Sequence, residues 1–592
     1  MTAPVFKIGM LIFLIGLNAG CRTPEAFRRD VDAGVRQVVT QTRTQILEKT
    51  SEFSIEKPGD TLRRQLLEQL SLPVAGPASL GSDHLPEILH WPEPRFPATN
   101  QRPETDPENR ASPLTLSLFQ SLEIGAQNSF EFQTRKEAVF QAGLALYLEQ
   151  DFFRNRFIGQ VQQLFSADLS TDPDQKGTRS SGKLSAERRF ESGAALTTTL
   201  AADLATLLFS GGNSSVGIAG DASLSIPLLR GSGRHIVTEP LQQAEQNLVY
   251  AILEFERFKQ TFAVAVGSQY LNLLKQQDTV DNARDDYTRR QALTLRSRRL
   301  GDAGRLKEIE VDQSVQTQLV ARQRWLSAQE AFKKQMDSFK RLLGLPPDAE
   351  IRLDMSLLRQ MEKTDDLNRD PEVPGPLELS EQTAISLGLE RRRDLQVVQG
   401  KVFDAQRAVV VAADALGAEL TFLGSASVGE RRTITTADLD NARLRTDKGV
   451  FSALLTLDLP FERTAEAVTY RNRFIQLEQA VREVQKLEDT LKLEIRNRLS
   501  QLFEARQTLF IQAQAVTLAE KRVKSISLFM EAGRAETRDL LEAQDALLSA
   551  QNSLTAARVN YRIAELEIQR DMGVLTVTDT GLWQEYSPKG SF

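Results

Sequence analysis

The sequence repeats itself, and this internal duplication constrains the fold more than any other feature. Three landmarks occur in the same order in both halves: PLTLS at 113–117 and PLELS at 376–380, LSIP at 224–227 and LDLP at 457–460, and AGR at 303–305 and 532–534. We therefore expect two copies of one structural unit. The offset between the copies falls from 233 to 229 residues. Four residues are about one helical turn, so we expect them to be missing from a helix.

Each half has the same plan of a helix, strands, a very long helix, a tight turn and a second long helix. The very long helices are predicted at Thr238–Leu300 and Thr464–Glu531, roughly 95–100 Å each at 1.5 Å per residue. Beyond the second turn, large residues recur every seven positions, with alanines three residues after the first four of them. The large residues are Leu540, Leu547, Leu554, Tyr561 and Ile568. This heptad pattern predicts a left-handed coiled coil, and helices alone would also suit a coiled-coil scaffold.

Several segments of 9–13 residues alternate apolar side chains with small or polar ones. They are Ser215–Ile226, Leu420–Val428, Phe451–Leu459 and, less regularly, Phe190–Leu204. Such strands suit a transmembrane barrel with lipid on one side and water on the other. The alternative is a set of strands in a soluble sandwich.

The N-terminus has the pattern of an export signal. Lys7 precedes the apolar run Ile8–Leu17, and small residues lead to Cys21, the single cysteine of the chain. This arrangement resembles a bacterial lipoprotein signal, so residues 1–20 are predicted to be removed and Cys21 to carry the lipid anchor. An ordinary signal peptide with an incidental cysteine is the alternative. No later segment has 18 consecutive apolar residues, so no transmembrane helix is expected in the mature chain.

Residues 21–111 are predicted to form a Pro-rich extension with little regular structure. A short helix or two are expected in the region Arg22–Leu72, for instance around Asp60–Leu72. Nine prolines fall within the 41 residues from Pro73 to Pro113, which favours an extended linker with disorder in places.

Composition argues against several functional classes. One cysteine and three histidines, with a net charge of −6, leave little material for a metal site or a Ser-His-Asp triad. The same charge argues against a nucleic-acid binder that works through bulk positive charge. We therefore predict no enzymatic activity, no cofactor, no metal and no nucleic-acid partner.

The two turns carry the most specific motif. In each, a glycine is followed six and seven residues later by an acid and an aliphatic residue. These are Gly304, Glu310 and Val311 in the first half and Gly533, Asp539 and Leu540 in the second. Together with the strand-to-helix junctions at Pro227 and Pro460, these motifs resemble the TolC-type outer-membrane efflux channels over about residues 112–575.

The resemblance implies an α+β membrane channel, internally duplicated and assembled as a homotrimer. Its long helices would form a coiled-coil barrel, and four strands from each protomer would build one transmembrane β-barrel. The predicted divisions are a first repeat at 112–345, an inter-repeat linker at 346–375, a second repeat at 376–575 and a C-terminal tail at 576–592. The stretch Phe153–Phe209 is longer than one strand of the family, so we expect an additional hairpin or a periplasmic insertion there.

The resemblance also implies the function. We expect a passive exit duct of a tripartite efflux or secretion system, in the outer membrane of a Gram-negative-type bacterium, with its helices in the periplasm. Its partners would be a periplasmic adaptor protein, an inner-membrane transporter and outer-membrane lipid. The alternative is a structural coiled-coil surface lipoprotein without pore activity.

Two groups of residues are candidate functional sites. The turns, with Gly304 and Arg305 in one half and Gly533 and Arg534 in the other, would dock the adaptor; alternatively, they are plain interhelical turns. Asp539 and Glu542 would form rings of carboxylates at a periplasmic gate. They would otherwise be a helix-terminal acid and a solvated acid. Glu310 would tie neighbouring hairpins together, through Arg534 or Arg538.

Overall fold

The computed structural model describes residues 22–48, 53–55, 61–93, 114–169, 175–207, 213–364, 373–532 and 534–587. The chain divides into two compact units. The sheet unit comprises Met1–Ser54, Val139–Ala251 and Val398–Glu483, and the hairpin unit comprises Ile55–Ala138, Ile252–Val397 and Val484–Phe592.

Helices dominate the described chain. They are α1 (Pro24–Leu47), α2 (Leu62–Gln69), α3 (Leu118–Asn128), α4 (Phe130–Asp151), α5 (Arg234–Val237), α6 (Glu239–Asp302), α7 (Glu308–Leu342), α8 (Ser356–Thr364), α9 (Glu381–Arg391), α10 (Arg393–Asp414), α11 (Thr464–Glu531) and α12 (Thr537–Asp571). The strands are β1 (Leu114–Leu116), β2 (Arg156–Asp168), β3 (Gln175–Arg189), β4 (Ala195–Leu207), β5 (Ser214–Pro227), β6 (Ile351–Leu353), β7 (Glu419–Glu430), β8 (Val450–Asp458), β9 (Thr576–Val577) and β10 (Trp583–Gln584).

The duplication predicted from sequence is visible in the element boundaries. Helices α3 and α4 recur as α9 and α10 with every boundary shifted by 263 residues, and α7 recurs as α12 with both boundaries shifted by 229. The pairs have equal lengths of 11, 22 and 35 residues. The internal repeat is therefore a repeat of structure.

The four-residue change in offset was assigned to the wrong element. Helix α11 has 68 residues and its counterpart α6 has 64, so the second-half helix is the longer one. The difference lies in the strand-to-helix connection, because the first half inserts the short helix α5 between Pro227 and α6. Gly231 and Gly233, with φ of +74° and +90°, let the chain turn there.

The sheet unit contains one antiparallel sheet with the order β2-β3-β4-β5-β7-β8. The additional hairpin expected within 153–209 is present, so the first half supplies four strands and the second half two. The sheet thus has six strands instead of the four that the resemblance implies. Strands β2 and β8 form its two edges.

The sheet has a helix end and a far end. At the helix end, four residues connect α4 to β2, and β5 and β8 run out toward α6 and α11. Register confirms that these termini lie together, because Arg156 pairs with Glu187, Glu187 with Thr197 and Thr197 with Ser223. At the far end, β2, β4 and β7 end and β3, β5 and β8 begin.

Part of the N-terminal extension is more ordered than the sequence indicates. Helix α1 is 24 residues long, starts at an N-cap Thr23 with Pro24 following, and buries Val35 and Val39 completely. Gly143 of α4 makes room for it, since a Cβ there would lie 2.7 Å from Val39 Cγ2. The expectation of one or two short helices was wrong here because this close packing depends on a glycine on another helix. Helix α2, in contrast, falls within the predicted Asp60–Leu72.

A buried cluster of charges joins helices α6, α11 and α12 to the junction between α9 and α10. Asp571, whose side chain is 6% exposed, accepts hydrogen bonds from Nε of Arg570 (2.8 Å) and Nε of Arg498 (3.0 Å). Arg257 lies 3.5 Å from the same carboxylate, and Arg392 donates to the backbone oxygen of Asp571 (3.3 Å). Burial alone would raise the pKa of Asp571, but the hydrogen bond from Arg570 and the neighbouring positive charges outweigh it and lower the pKa below its usual value.

Replacing Asp571 by asparagine should destabilise the hairpin unit. Removal of this carboxylate leaves several buried guanidinium groups without their shared partner, which costs about 3–5 kcal/mol. Because the folded-state pKa is lowered, the carboxylate stabilises the fold above about pH 4, its unfolded pKa, and this contribution is lost as the pH falls through the folded pKa. Denaturant unfolding of the purified protein, followed by circular dichroism, measures the difference.

Asp489→Asn is the matched control, because Asp489 is 81% exposed and pairs only with Lys492 on its own helix. Its effect should stay within about 0.5 kcal/mol. Equal stability of Asp571→Asn and wild type at neutral pH would contradict the role assigned to the cluster.

Candidate functional site

The strand register divides the six-stranded sheet into two chemically different faces. The polar face contains Ser215, Gly217, Ala219, Asp221, Ser223 and Ser225 of β5 and every residue in register with them. The apolar face contains the alternate residues, such as Val216, Ile218 and Leu224. Because side chains alternate along a strand, pairing of all six strands in one register carries the same two sets of positions across the whole sheet. The polar face also includes some large apolar residues in β2, β7 and β8: Ile158, Leu164, Leu423, Val450 and Leu454.

Charge follows the same division. The polar face carries Arg156, Arg179, Lys183, Glu187, Arg189, Asp203, Asp221, Glu419 and Asp458. Its side chains bond across strands: Arg179 to Asp203 (3.0 Å), Ser427 to Asp221 (2.7 Å) and Ser425 to Ser452 (2.7 Å). On the apolar face of these strands, the charged residues are Lys176, Arg188 and Glu430, each within two residues of a strand end.

The apolar face is open over much of its area. Phe157 and Phe165 of β2 are 72% and 73% exposed, and Leu455 of β8 is 60% exposed. Two polar side chains on this face, Gln163 and Ser180, hydrogen-bond each other at 2.5 Å. An exposed apolar surface with internally satisfied polar groups is typical of a surface that contacts lipid or another apolar partner.

The turns of the two helical hairpins are closed by the same backbone bond. At the first, Gly304 has φ of +69°, the N–H of Arg305 donates to Leu300 O (2.8 Å), and the N–H of Gly304 donates to Gly301 O (2.8 Å). This is a Schellman motif, which favours glycine in the left-handed position. At the second, the N–H of Arg534 donates to Phe529 O at 2.8 Å.

The predicted docking residues lie at the surface where they are described. Arg305 and Arg534 are both exposed, and nothing lies within 4 Å of a Cβ built on Gly304. Gly533 and Cys21 lie outside the described residues. The structure therefore presents an accessible arginine at each turn.

The predicted gate acids have partners within their own hairpin. The carboxylate of Asp539 accepts the backbone N–H of Glu536 (3.1 Å), which completes a capping box at the start of α12. Glu542 forms a largely exposed ion pair with Arg522 of α11 (3.0 Å). Both contacts match the simpler alternatives considered for these acids.

Glu310 lies in the first turn of α7 and is partly buried. Among the ion pairs of the described residues, none joins it to Arg534 or Arg538. Asp545 of α12 instead joins the two hairpins, since it binds Arg290 of α6 (2.8 Å) and Arg324 of α7 (2.7 Å).

Further polar contacts continue from Asp545 along α6 and α12. Asn282 bonds to Asn552 (3.0 Å), and Asp278 accepts from Thr555 (2.8 Å). Burial raises the pKa of Asp278, although hydrogen bonds from Thr555 and Asn282 oppose the shift. Sequence analysis missed this row; its available signal was the seven-residue spacing of Asp545 and Asn552 beside the apolar seam.

No helix in the part of the chain that the structure describes is long and apolar enough to cross a membrane.

Solved structures of other proteins align with this chain, whereas no protein-family model and no curated protein matches it. The outer-membrane channel CmeC of Campylobacter jejuni aligns with a TM-score of 0.55 at 12% identity, covering 77% of this chain and 85% of its own. The outer-membrane protein VceC of Vibrio cholerae aligns with a TM-score of 0.55 at 14% identity, covering 77% and 96%. The chain has a TolC-type channel fold.

A third structure with this fold is the open state of the outer-membrane channel MtrE of Neisseria gonorrhoeae. It aligns with a TM-score of 0.52 at 11% identity and covers 77% of this chain and 89% of its own. The TolC-type fold predicted from the two turn motifs is thus confirmed, and the alignments span most of each known channel.

Proposed function

We propose that the protein is an outer-membrane exit duct of a tripartite efflux or secretion system. Solutes would enter from an inner-membrane transporter, joined to the duct through a periplasmic adaptor protein, and pass without an energy-consuming step in the duct itself. The observation that carries the proposal is the two-faced sheet on a TolC-type fold. A polar face suits a water-filled lumen, and an exposed apolar face suits outer-membrane lipid.

The edges of the sheet support assembly as a homotrimer. In lipid, unpaired backbone groups of β2 and β8 would each cost several kcal/mol, so an open sheet cannot span a membrane. Pairing β8 of one copy with β2 of the next satisfies both edges. Three copies would then close a barrel of eighteen strands, a size at which barrels hold an open aqueous channel.

The sheet faces can be tested with adjacent residues of β8. Leu455→Arg puts a charge on the apolar face, which costs about 2–4 kcal/mol at the bilayer midplane. We expect much less assembled protein in the outer membrane, measured as heat-resistant oligomer in membrane fractions. Thr456→Arg is the matched control, because Thr456 lies on the polar face and its arginine would be solvated. Equal loss in both variants would contradict the lipid-facing assignment.

The hairpin turns are proposed to dock the adaptor. Tryptophan at both Gly304 and Gly533 should abolish efflux in cells while the assembled protein stays in the outer membrane, because the two turns present an accessible surface. Drug susceptibility measures efflux, and membrane fractionation measures assembly.

Gly231→Trp is the control that distinguishes a loss of docking from the backbone strain of a tryptophan at positive φ. Gly231 has a similar φ of +74° and equally open surroundings, but it lies in the β5–α6 connection of the sheet unit. We expect this variant to retain efflux. Normal efflux with tryptophan at both turns would show that they do not dock a partner.

Asp539, Glu542 and Glu310 are proposed to form the periplasmic gate, and planar-bilayer recordings of the purified protein test both pore and gate. Wild type should conduct with cation selectivity, because three copies of Asp539 and Glu542 would concentrate negative charge at a constriction. Asp539→Asn with Glu542→Gln should reduce that selectivity and weaken block by multivalent cations. Asparagine and glutamine remove the charges while preserving hydrogen-bond acceptors, including the one in the capping box.

Glu330→Gln with Asp489→Asn is the control pair, since both acids are more than 70% exposed on other helices. It removes the same charge and should leave selectivity unchanged. An assembled protein without any conductance would overturn the duct, whereas conductance with unchanged selectivity in the gate variant would overturn the gate alone. The lipid anchor at Cys21 remains a prediction from the sequence.

A further inference from the structure

The connection between β7 and β8 crosses the polar face at the far end of the sheet. Residues 431–440, here called the inward segment, leave the end of β7 and run over β5 toward β3. A Cβ on Gly217 of β5 would lie 2.6 Å from the backbone nitrogen of Arg432, and one on Gly177 of β3 would lie 2.9 Å from Ile434 Cγ2. Two strands therefore carry glycine where the segment approaches them.

Arg432 fixes the segment to the sheet. Its side chain is 6% exposed, and each guanidinium nitrogen has a partner: Nε donates to Ser215 Oγ (2.9 Å), Nη1 to Glu430 (2.7 Å) and Nη2 to the backbone oxygen of Asp440 (2.7 Å). A buried arginine is costly unless it is paired in this way. The segment is thus a seated part of the fold.

An apolar contact and a backbone contact complete the seat. Ala437 is fully buried against Ala205 and Leu207, two apolar residues of β4 on the polar face. After the segment, the N–H of Ala442 donates to Val216 O (2.7 Å), continuing the pairing of β5 where β7 has left it.

We propose that the inward segment is a built-in constriction of the outer mouth that limits the size of the solutes that pass. This inference rests on the proposed function, in which the polar face lines the pore. The inward segment lies at the far end of the sheet, whereas the proposed gate residues belong to the helical hairpins, so the two are different parts of the chain. A barrel of eighteen strands would otherwise be wide and open, and one seated segment from each copy narrows it.

Size-dependent cysteine labelling from outside the cell tests the outer mouth independently of the gate. Ser223→Cys places a thiol on the exposed polar face of β5, between the inward segment and the helix end. The single native cysteine is Cys21, so the parent chain gives the background. Whole cells are treated with a small maleimide or with one bearing a bulky polyethylene-glycol chain.

The small reagent should label Ser223→Cys with or without changes to the inward segment. The bulky reagent should label poorly unless the segment is unseated, by Arg432→Ala or by replacing residues 433–439 with two glycines, and labelling should then rise several-fold. Arg445→Ala is the control, because Arg445 belongs to the same connection but forms an exposed pair with Asp447. It should leave bulky labelling low. Heat-resistant oligomer on gels confirms assembly of each variant.

Two failures are distinguishable. If the small reagent does not label Ser223→Cys in assembled protein, the polar face does not line a pore and the proposed function fails. If the small reagent labels but bulky labelling is the same with the segment intact and with it unseated, the pore stands and the constriction is overturned.

Discussion

Strand register is the constraint on which the rest of the sheet unit depends. A slip of one residue would exchange the two faces and place Arg179, Asp203 and Asp221 among the exposed apolar side chains. The register is held by the ion pair of Arg179 with the buried Asp203 and by Gly429, which has φ of +84° and where an added Cβ would clash with Ile218 O. A few polar contacts and one glycine thus maintain the separation that a pore requires.

The hairpin unit obeys a different constraint, which is equal length. Helices α7 and α12 have 35 residues each and both end in left-handed glycines, Gly344 and Gly573. Their partners α6 and α11 differ in length by about one helical turn. The connections from the sheet to these two helices also differ in length, which compensates for it. Helices α7 and α12, which have the same length, lie side by side. A difference between their lengths would displace the turns and the row of polar contacts beside Asp545.

Periodic features were predictable from the sequence, and single contacts were not. The duplication and the periodic patterns predicted both ends of α11 at the correct residue. They also located three strands and both turns. The burial of α1 was missed because it depends on Gly143, far away in the sequence. The inward segment was not predictable because Arg432 is fixed by Ser215, which is distant in the sequence. Nothing in the local sequence distinguishes Arg432 from an exposed loop arginine. Asp539 had two interpretations from the start, and its capping box does not choose between them, since a carboxylate can cap a helix and face a pore.

Each half of the chain contributes an even number of strands to the sheet, and this follows from the topology. The chain enters the sheet from α4 and leaves it toward α6 at the same end, so the segment between them must cross the sheet an even number of times. The first half crosses four times and the second twice. A sheet of this topology can therefore gain or lose strands only as whole hairpins, two strands per copy at a time. Such an insertion leaves the direction, length and turn of every long helix untouched, so the sheet can widen while both helical hairpins stay the same.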